Sequence, residues 1–190
     1  MPIKYPVIRK MSRIGGIIQK LKTLFWKIFI YCRWIFSSRA KKGTGIGDFV
    51  PDFTLSDLGG RKVALSSFYP NKAVILWLTN LCSSCEERIS ILNEAYERSR
   101  DQLEIIAIST LGDDRETPAR ILKNHKVDFP LLLDPEDWIG KVLGFEHPQG
   151  ACPLYNLLIL DHVGQIKFRH HLSAISDEKF FEALKVIGVN

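Results

Sequence analysis

Two cysteines, Cys82 and Cys85, sit with two residues between them in the stretch AVILWLTNLCSSCEERISIL, positions 73–92. Cysteine thiolates attack disulfides, reduce peroxides or ligate metals, whereas buried thiols are inert apolar groups. Context separates these readings. Cys82 falls where an apolar run ends and a helical pattern begins, and N–H groups at a helix start stabilise a thiolate through hydrogen bonds and the helix dipole. Cys85 falls one turn on, within disulfide reach. That arrangement suits exchange chemistry: Cys82 attacks a substrate disulfide as the thiolate, and Cys85 resolves the mixed disulfide. The pair also lies beside a β-α-β pattern, the context that marks a redox C-x-x-C. Glu86 and Glu87 oppose thiolate formation where they lie close. A structural zinc site needs two more ligands. Cys152 with one of His125, His147, His170 or His171 would have to supply them, and no second cluster has ligand spacing.

Other residues that invite chemistry are weaker candidates. His170 and His171 are neighbours in a strand pattern, so they point to opposite faces and do not share a ligand. GDDRE (112–116) lacks the spaced oxygen ligands of a calcium loop and reads as a solvated turn. GTGIG (43–47) follows no strand and opens no helix, which argues against a phosphate-binding loop.

The elements that must position the pair are legible as periodicities. DFTL and KVAL flank SDLGGR, a hairpin signature. AVILWLT (73–79) and LEIIAIS (103–109) are continuous apolar runs, the mark of strands buried on both faces. SSCEERISILNEAYERSR reads as one helix, with Ile89, Leu92 and Tyr96 on its apolar face. TPARILKNHKV opens with a Thr-Pro helix start. FPLLLD is a further strand, EDWIGKVLGF a short helix, and NLLILDHVGQIKFRHHL two strands about a turn at 162–164. SDEKFFEALKVIG is a closing helix with Ser176 as N-cap. The order β-hairpin, β, α, β, α, β, α, β, β, α predicts an α/β fold with a mixed sheet covered by helices on both faces.

Of the 190 residues, 46% are apolar and 25% charged, ordinary for a globular core. The net charge of +5 conceals a split. Residues 1–47 carry 11 Lys and Arg and no acid, and the remainder is net acidic by 6. The basic balance therefore belongs to an N-terminal arm and does not point to a nucleic-acid partner. In that arm Ile14, Ile17, Ile18, Leu21, Leu24, Phe25, Ile28, Cys32 and Ile35 recur at helical spacing, with Arg13, Lys20 and Lys27 opposite and Trp26 and Trp34 suited to lipid headgroups. Lys20, Lys22, Lys27 and Arg33 interrupt every window of about 20 apolar residues that a span requires. The expected role of residues 10–40 is a helix lying on an anionic membrane. A degenerate single-span anchor, a signal peptide cleaved near Ser38-Arg39-Ala40 and an organelle transit peptide are the alternatives, as is a helix packed on the protein's own core. Cys32 reads as an apolar member of the stripe, with lipidation its alternative. SSRAKKGTGIG reads as a linker, which divides the chain into an arm, 1–44, and a domain, 45–190.

These motifs, in this order, resemble the thioredoxin-like redoxins over about residues 45–188. The resemblance takes in membrane-anchored thiol–disulfide oxidoreductases and the alkyl hydroperoxide reductase/thiol-specific antioxidant relatives. GDFVPDFTLSDLGGRKVALSSF is similar to the family's N-terminal hairpin, AVILWLTNLCSSC to its active-site segment, and IIAISTLGDD, FPLLLD and LLILDHVGQIKFRHHL to its later strands. The resemblance implies a thioredoxin-like fold with a central mixed sheet and catalysis by Cys82 and Cys85. It implies protein thiol or disulfide substrates, a partner reductant, and no organic cofactor or metal. It also implies residence at a bacterial cell membrane with the domain facing the periplasm, with organelle import through the basic arm as the alternative. Three positions depart from the pattern: Leu81 stands where an aromatic is usual, Ser90 near a usual proline, and Tyr155 at the expected cis-proline of the docking loop. The nearest proline is Pro153, so Cys152, Pro153 and Tyr155 are the candidate docking loop, and Cys152 is a candidate third redox thiol.

Peroxiredoxins are similar as well. Thr79 precedes Cys82 by three residues, as in their peroxidatic motif, where the hydroxyl would bond the sulfur or the peroxide. Their upstream proline and their arginine are replaced here by Ile75 and Tyr155. In that reading Cys82 becomes a sulfenic acid resolved by Cys85. A non-enzyme alternative is a membrane-bound interaction module whose cysteines are redox-silent.

Overall fold

The computed structural model describes residues 45–144, 147–148 and 151–189; the arm and its expected membrane role lie outside them. Seven strands form one sheet in the order β2-β1-β5-β4-β3-β6-β7. They are β1 (Thr54–Asp57), β2 (Lys62–Ala64), β3 (Ala73–Thr79), β4 (Leu103–Ser109), β5 (Leu131–Leu133), β6 (Leu157–Leu160) and β7 (Ile166–His170). β3, β4 and β5 run parallel, and the remaining neighbours pair antiparallel, so the sheet is mixed as expected. The helices are α1 (Ser83–Glu86), α2 (Ile89–Ser99), α3 (Glu116–His125), α4 (Trp138–Val142) and α5 (Asp177–Val186).

β3 and β4 are buried along their whole length. Alternation sends Ala73, Ile75 and Trp77 to one face, where they meet Ile89, Leu92, Phe180 and Leu184 in a single core cluster. Val74, Leu76 and Leu78 point the other way and are equally buried. Burial on both faces explains why these strands read as unbroken apolar runs.

Two helix expectations need correction. The run after Cys82 is not one helix. α1 ends after a single turn, and α2 begins at Ile89 with Arg88 as its cap. The helix expected from Thr117-Pro118 starts one residue earlier, with Arg115 as its N-cap and the Asp114 carboxylate satisfying its first donors. That carboxylate accepts the N–H groups of Glu116 at 2.9 Å and Thr117 at 3.1 Å, while Pro118 occupies a first-turn position that needs no donor. Ser176 does cap α5, accepting the Lys179 N–H at 3.3 Å. In the turn between β6 and β7, Gly164 has φ 81°, and a Cβ there would lie 3.0 Å from the Tyr69 ring, so the position is closed to larger residues.

Candidate active site

β3 carries the chain straight to the cysteines. After Thr79 the backbone turns through Leu81, whose φ of 54° is left-handed. For a bulky residue this costs about 1–2 kcal/mol. The cost is offset by burial of the leucine side chain and by its N–H, which donates to Thr79 Oγ1 at 2.9 Å. The turn delivers Cys82 as the N-cap of α1, exposed, with its N–H donating to Asn80 Oδ1 at 3.2 Å. Cys85, one turn on, is fully buried, and its N–H donates to the Cys82 carbonyl at 2.9 Å. α1 aligns few peptide dipoles because it has only four residues, so a long helix dipole does not bear on Cys82. Nor does Glu86 face the cysteines: it pairs with His125 at 2.9 Å and Arg120 at 3.2 Å, which hold its carboxyl below the ordinary range. Glu87 is exposed.

The third cysteine arrives from far along the chain. β6 pairs with β3, with Leu157 opposite Trp77, and this register brings the loop before β6 alongside the end of β3. The Ala151 carbonyl accepts the Thr110 hydroxyl at 3.2 Å, and the Asn156 carbonyl accepts the Leu78 N–H at 2.9 Å. Between these two anchors Cys152 Sγ lies 3.8 Å from Cys85 Sγ. The sulfurs of Cys82, Cys85 and Cys152 all lie within 4.8 Å of one another. Cys152 Sγ accepts the Asn80 N–H at 3.3 Å, donates to Asn80 Oδ1 at 2.8 Å and meets Thr79 Oγ1 at 4.0 Å. Asn156, fully buried, donates from Nδ2 to Cys85 Sγ at 3.5 Å and accepts the Leu172 N–H on Oδ1 at 2.8 Å.

This geometry polarises the inner pair. A hydrogen bond from the Cys85 thiol lowers the pKa of Cys152 below the usual thiol range, helped by Asn80 N–H, Thr79 and Asn156 against the cost of burial. The same bond, together with burial, pushes the Cys85 thiol up. The contact thus favours ionisation of Cys152 over Cys85, whereas a free thiol, with a pKa of about 8.5, is mostly protonated at pH 7. With Cys32 and Cys82 replaced by serine, the reduced chain is expected to retain ultraviolet thiolate absorbance at pH 7, and adding Cys152→Ser is expected to abolish it. Absorbance that rises only above about pH 8 would show an ordinary thiol at Cys152.

Thr79 is buried with its hydroxyl on Leu81 and beside Cys152, not on Cys82. Pro153 is buried, while Leu154 and Tyr155 are 75% and 38% exposed. The Arg169 guanidinium lies over the Tyr155 ring at 4.3 Å. The cis peptide bond among the described residues is Tyr69–Pro70, and the bond before Pro153 is trans. Three sulfurs are one short of a tetrahedral zinc set. Of the histidines weighed as the fourth ligand, His125 is engaged with Glu86 and His147 with Asp137. The functional contacts of Asn80 and Asn156 have no signature in the sequence; a polar residue beside a buried run is the only signal either offers.

The AhpC/TSA family model matches residues 46–169. The thiol-disulfide oxidoreductase ResA of Geobacillus thermodenitrificans is 32% identical over 130 residues, covering 67% of this chain and 70% of that protein. The chloroplastic peroxiredoxin Q of Triticum aestivum is 28% identical over 145 residues, covering 74% of this chain and 65% of that protein, just under two thirds of its length. Among solved structures, the thioredoxin domain of a thiol-disulfide oxidoreductase from Bacteroides vulgatus matches with a TM-score of 0.63 at 19% identity, over 78% of this chain and 100% of that one. At that identity the likeness is one of fold, and the fold is thioredoxin-like.

Proposed function

The chain belongs to the AhpC/TSA family and is an oxidoreductase of the thioredoxin-like redoxin kind, and on that premise we propose that Cys82 and Cys85 form its working couple in thiol–disulfide exchange on protein substrates. The observation that carries this reading is the asymmetry of the pair: Cys82 is exposed at the start of α1, Cys85 is buried one turn on, and their sulfurs lie within 4.8 Å. An exposed sulfur meets the substrate; a buried one is reserved for the internal step. The Cys82 thiolate attacks a substrate disulfide, one substrate sulfur leaves as thiolate, and a mixed disulfide forms. Cys85 then gives up its proton and attacks Cys82, releasing the second substrate thiolate and closing the Cys82–Cys85 bond. A partner reductant reopens it. Exchange in the opposite direction uses the same steps reversed.

Cys152, Pro153 and Tyr155 form the docking loop in this reading, with the neighbouring exposed Leu154 offering apolar surface to an unfolded or flexible substrate segment. Residues 1–44 act as the membrane-associating arm and 45–190 as the redox domain, at a bacterial cell membrane with the domain toward the periplasm. Among the described residues no helix is long and apolar enough to cross a membrane. The test is the midpoint potential of the Cys32→Ser chain, equilibrated in dithiothreitol and glutathione buffers with free thiols counted. A reversible two-electron transition is expected that persists in Cys152→Ser, where only Cys82 and Cys85 can bond, and its midpoint assigns the direction of exchange. Thiols that never bond to each other would end this reading.

Peroxide reduction is the second reading, favoured by the similarity to peroxiredoxin Q across 74% of the chain. There the Cys82 thiolate takes one peroxide oxygen and becomes a sulfenic acid while the other oxygen leaves as an alcohol or water. The Cys85 thiol then condenses with it, forming the disulfide and releasing water. Consumption of hydrogen peroxide by the reduced chain at a rate above that of free dithiothreitol would place it first.

A further inference from the structure

Cys85 has two sulfur neighbours, and a resolving thiol in an ordinary couple needs one. We propose that Cys152 is a third redox thiol, which exchanges with Cys82 as the disulfide partner of Cys85. The inference rests on the reading of Cys82 and Cys85 as the redox couple and adds a second, internal disulfide to it.

The geometry carries it in three ways. Cys152 Sγ is already in contact with Cys85 Sγ at 3.8 Å, so a bond of about 2.05 Å requires the sulfurs to close by about 1.8 Å. The Cys152 sulfur is held in that place by Asn80, while its loop is anchored on one side by Thr110 and on the other by Asn156. The direction of the Asn80 contact also matters. The Asn80 N–H donates to Cys152 Sγ at 3.3 Å, a bond that favours the ionised sulfur and does not depend on whether Cys85 is reduced or in a disulfide. The thiolate, not the thiol, is the nucleophile.

The step is redox-neutral and needs no outside reagent. Starting from the Cys82–Cys85 disulfide, the Cys152 thiolate attacks Cys85 Sγ. The Cys85–Cys152 bond forms, the Cys82–Cys85 bond breaks, and the electron pair leaves on Cys82 as a thiolate. The oxidising equivalent moves inward, and the exposed nucleophile is regenerated. An oxidised chain of this kind still offers a reactive Cys82 to a substrate or to glutathione, which a two-cysteine redoxin with its bond closed does not.

The experiment uses the full chain with Cys32→Ser, so that only the three clustered cysteines remain. Cys82→Ser in this background is oxidised with diamide and mapped by non-reducing peptide mass spectrometry. The expected result is a peptide linking Cys85 to Cys152, with a loss of two hydrogens and no free thiol. Two free thiols, or a chain oxidised only by joining to a second copy, would overturn the proposal. In the unsubstituted-site parent, diamide oxidation followed by iodoacetamide is expected to place label on Cys82. Label on Cys152 alone would show that the disulfide stays with Cys82 and would overturn the exchange. Cys152→Ser keeps the two readings apart: failure of that variant to form the Cys82–Cys85 bond strikes the original couple, whereas failure of Cys82→Ser to form the inner bond strikes this one.

Discussion

Replacing Cys82 by serine is expected to reduce disulfide exchange by a factor on the order of a thousand or more, to the background rate, while leaving the fold intact. The hydroxyl of serine is a far weaker nucleophile toward sulfur than a thiolate, and it cannot form the mixed disulfide at all. The substitution should be well tolerated structurally. Cys82 is exposed, and its role as N-cap of α1 is one that serine fills at least as well. Reduction of insulin disulfides, followed by turbidity, checks the loss. An unchanged circular dichroism spectrum and urea midpoint check the fold. Cys85→Ser is the informative companion. It should retain the attack but not the resolution, so the chain is expected to accumulate as a mixed disulfide with substrate, visible on a non-reducing gel. If Cys82→Ser retained a substantial fraction of turnover, the entry nucleophile would have to be Cys152. That residue is only partly exposed.

Trp77→Ala is expected to be the most damaging single core substitution in the site-bearing strand. Trp77 lies mid-strand in β3, opposite Ala107 on one side and Leu157 on the other, and is 1% exposed. Truncating a buried tryptophan to alanine costs about 3–5 kcal/mol through lost contacts and the cavity left behind. One feature pulls the value down: the indole Nε1 is buried without a hydrogen-bond partner, and removing an orphaned donor recovers part of its desolvation cost, about 1–3 kcal/mol. The expected loss is therefore near the lower end, about 3 kcal/mol, a large share of the 5–15 kcal/mol typical of a domain. With a urea slope of about 1–3 kcal/mol per molar, the midpoint should fall by about 1–3 M. Trp77→Phe separates the two contributions. It keeps most of the ring and discards the orphaned N–H, so its loss should be well below that of alanine. Equal losses for the two variants would mean that a phenyl ring restores none of the packing the indole provides. Because β3 ends at Thr79 and leads directly to Cys82, a loosened strand should also blunt exchange before the chain unfolds.

Much of this molecule is written locally in its residues. The apolar runs 73–79 and 103–109 are the two central strands to the residue, because a strand buried on both faces leaves no room for polar alternation. Ser176 caps α5 as expected, because capping is a bond between residues three apart. The placement of Cys82 and Cys85 at a strand-to-helix junction was legible for the same reason: it follows from what stands immediately before and after them.

What the local pattern did not hold is the environment of that pair. The break between α1 and α2 and the left-handed turn at Leu81 involve no residue type that announces them. Asn80 reaches a cysteine 72 residues away, Asn156 meets Cys85 across 71, and Cys152 meets Cys85 across 67. All three contacts depend on the register of β6 beside β3, which sets Leu157 against Trp77 and so fixes where the loop before β6 ends up. Strand register is decided by pairing across the whole sheet and by which faces the core can bury, not by spacing along the chain. The sequence by itself determined a thioredoxin-like fold and a dithiol at the end of one of its central strands. Only the tertiary structure decided that this dithiol has a third sulfur for company, because proximity between distant residues is a property of the packed sheet and not of any segment within it.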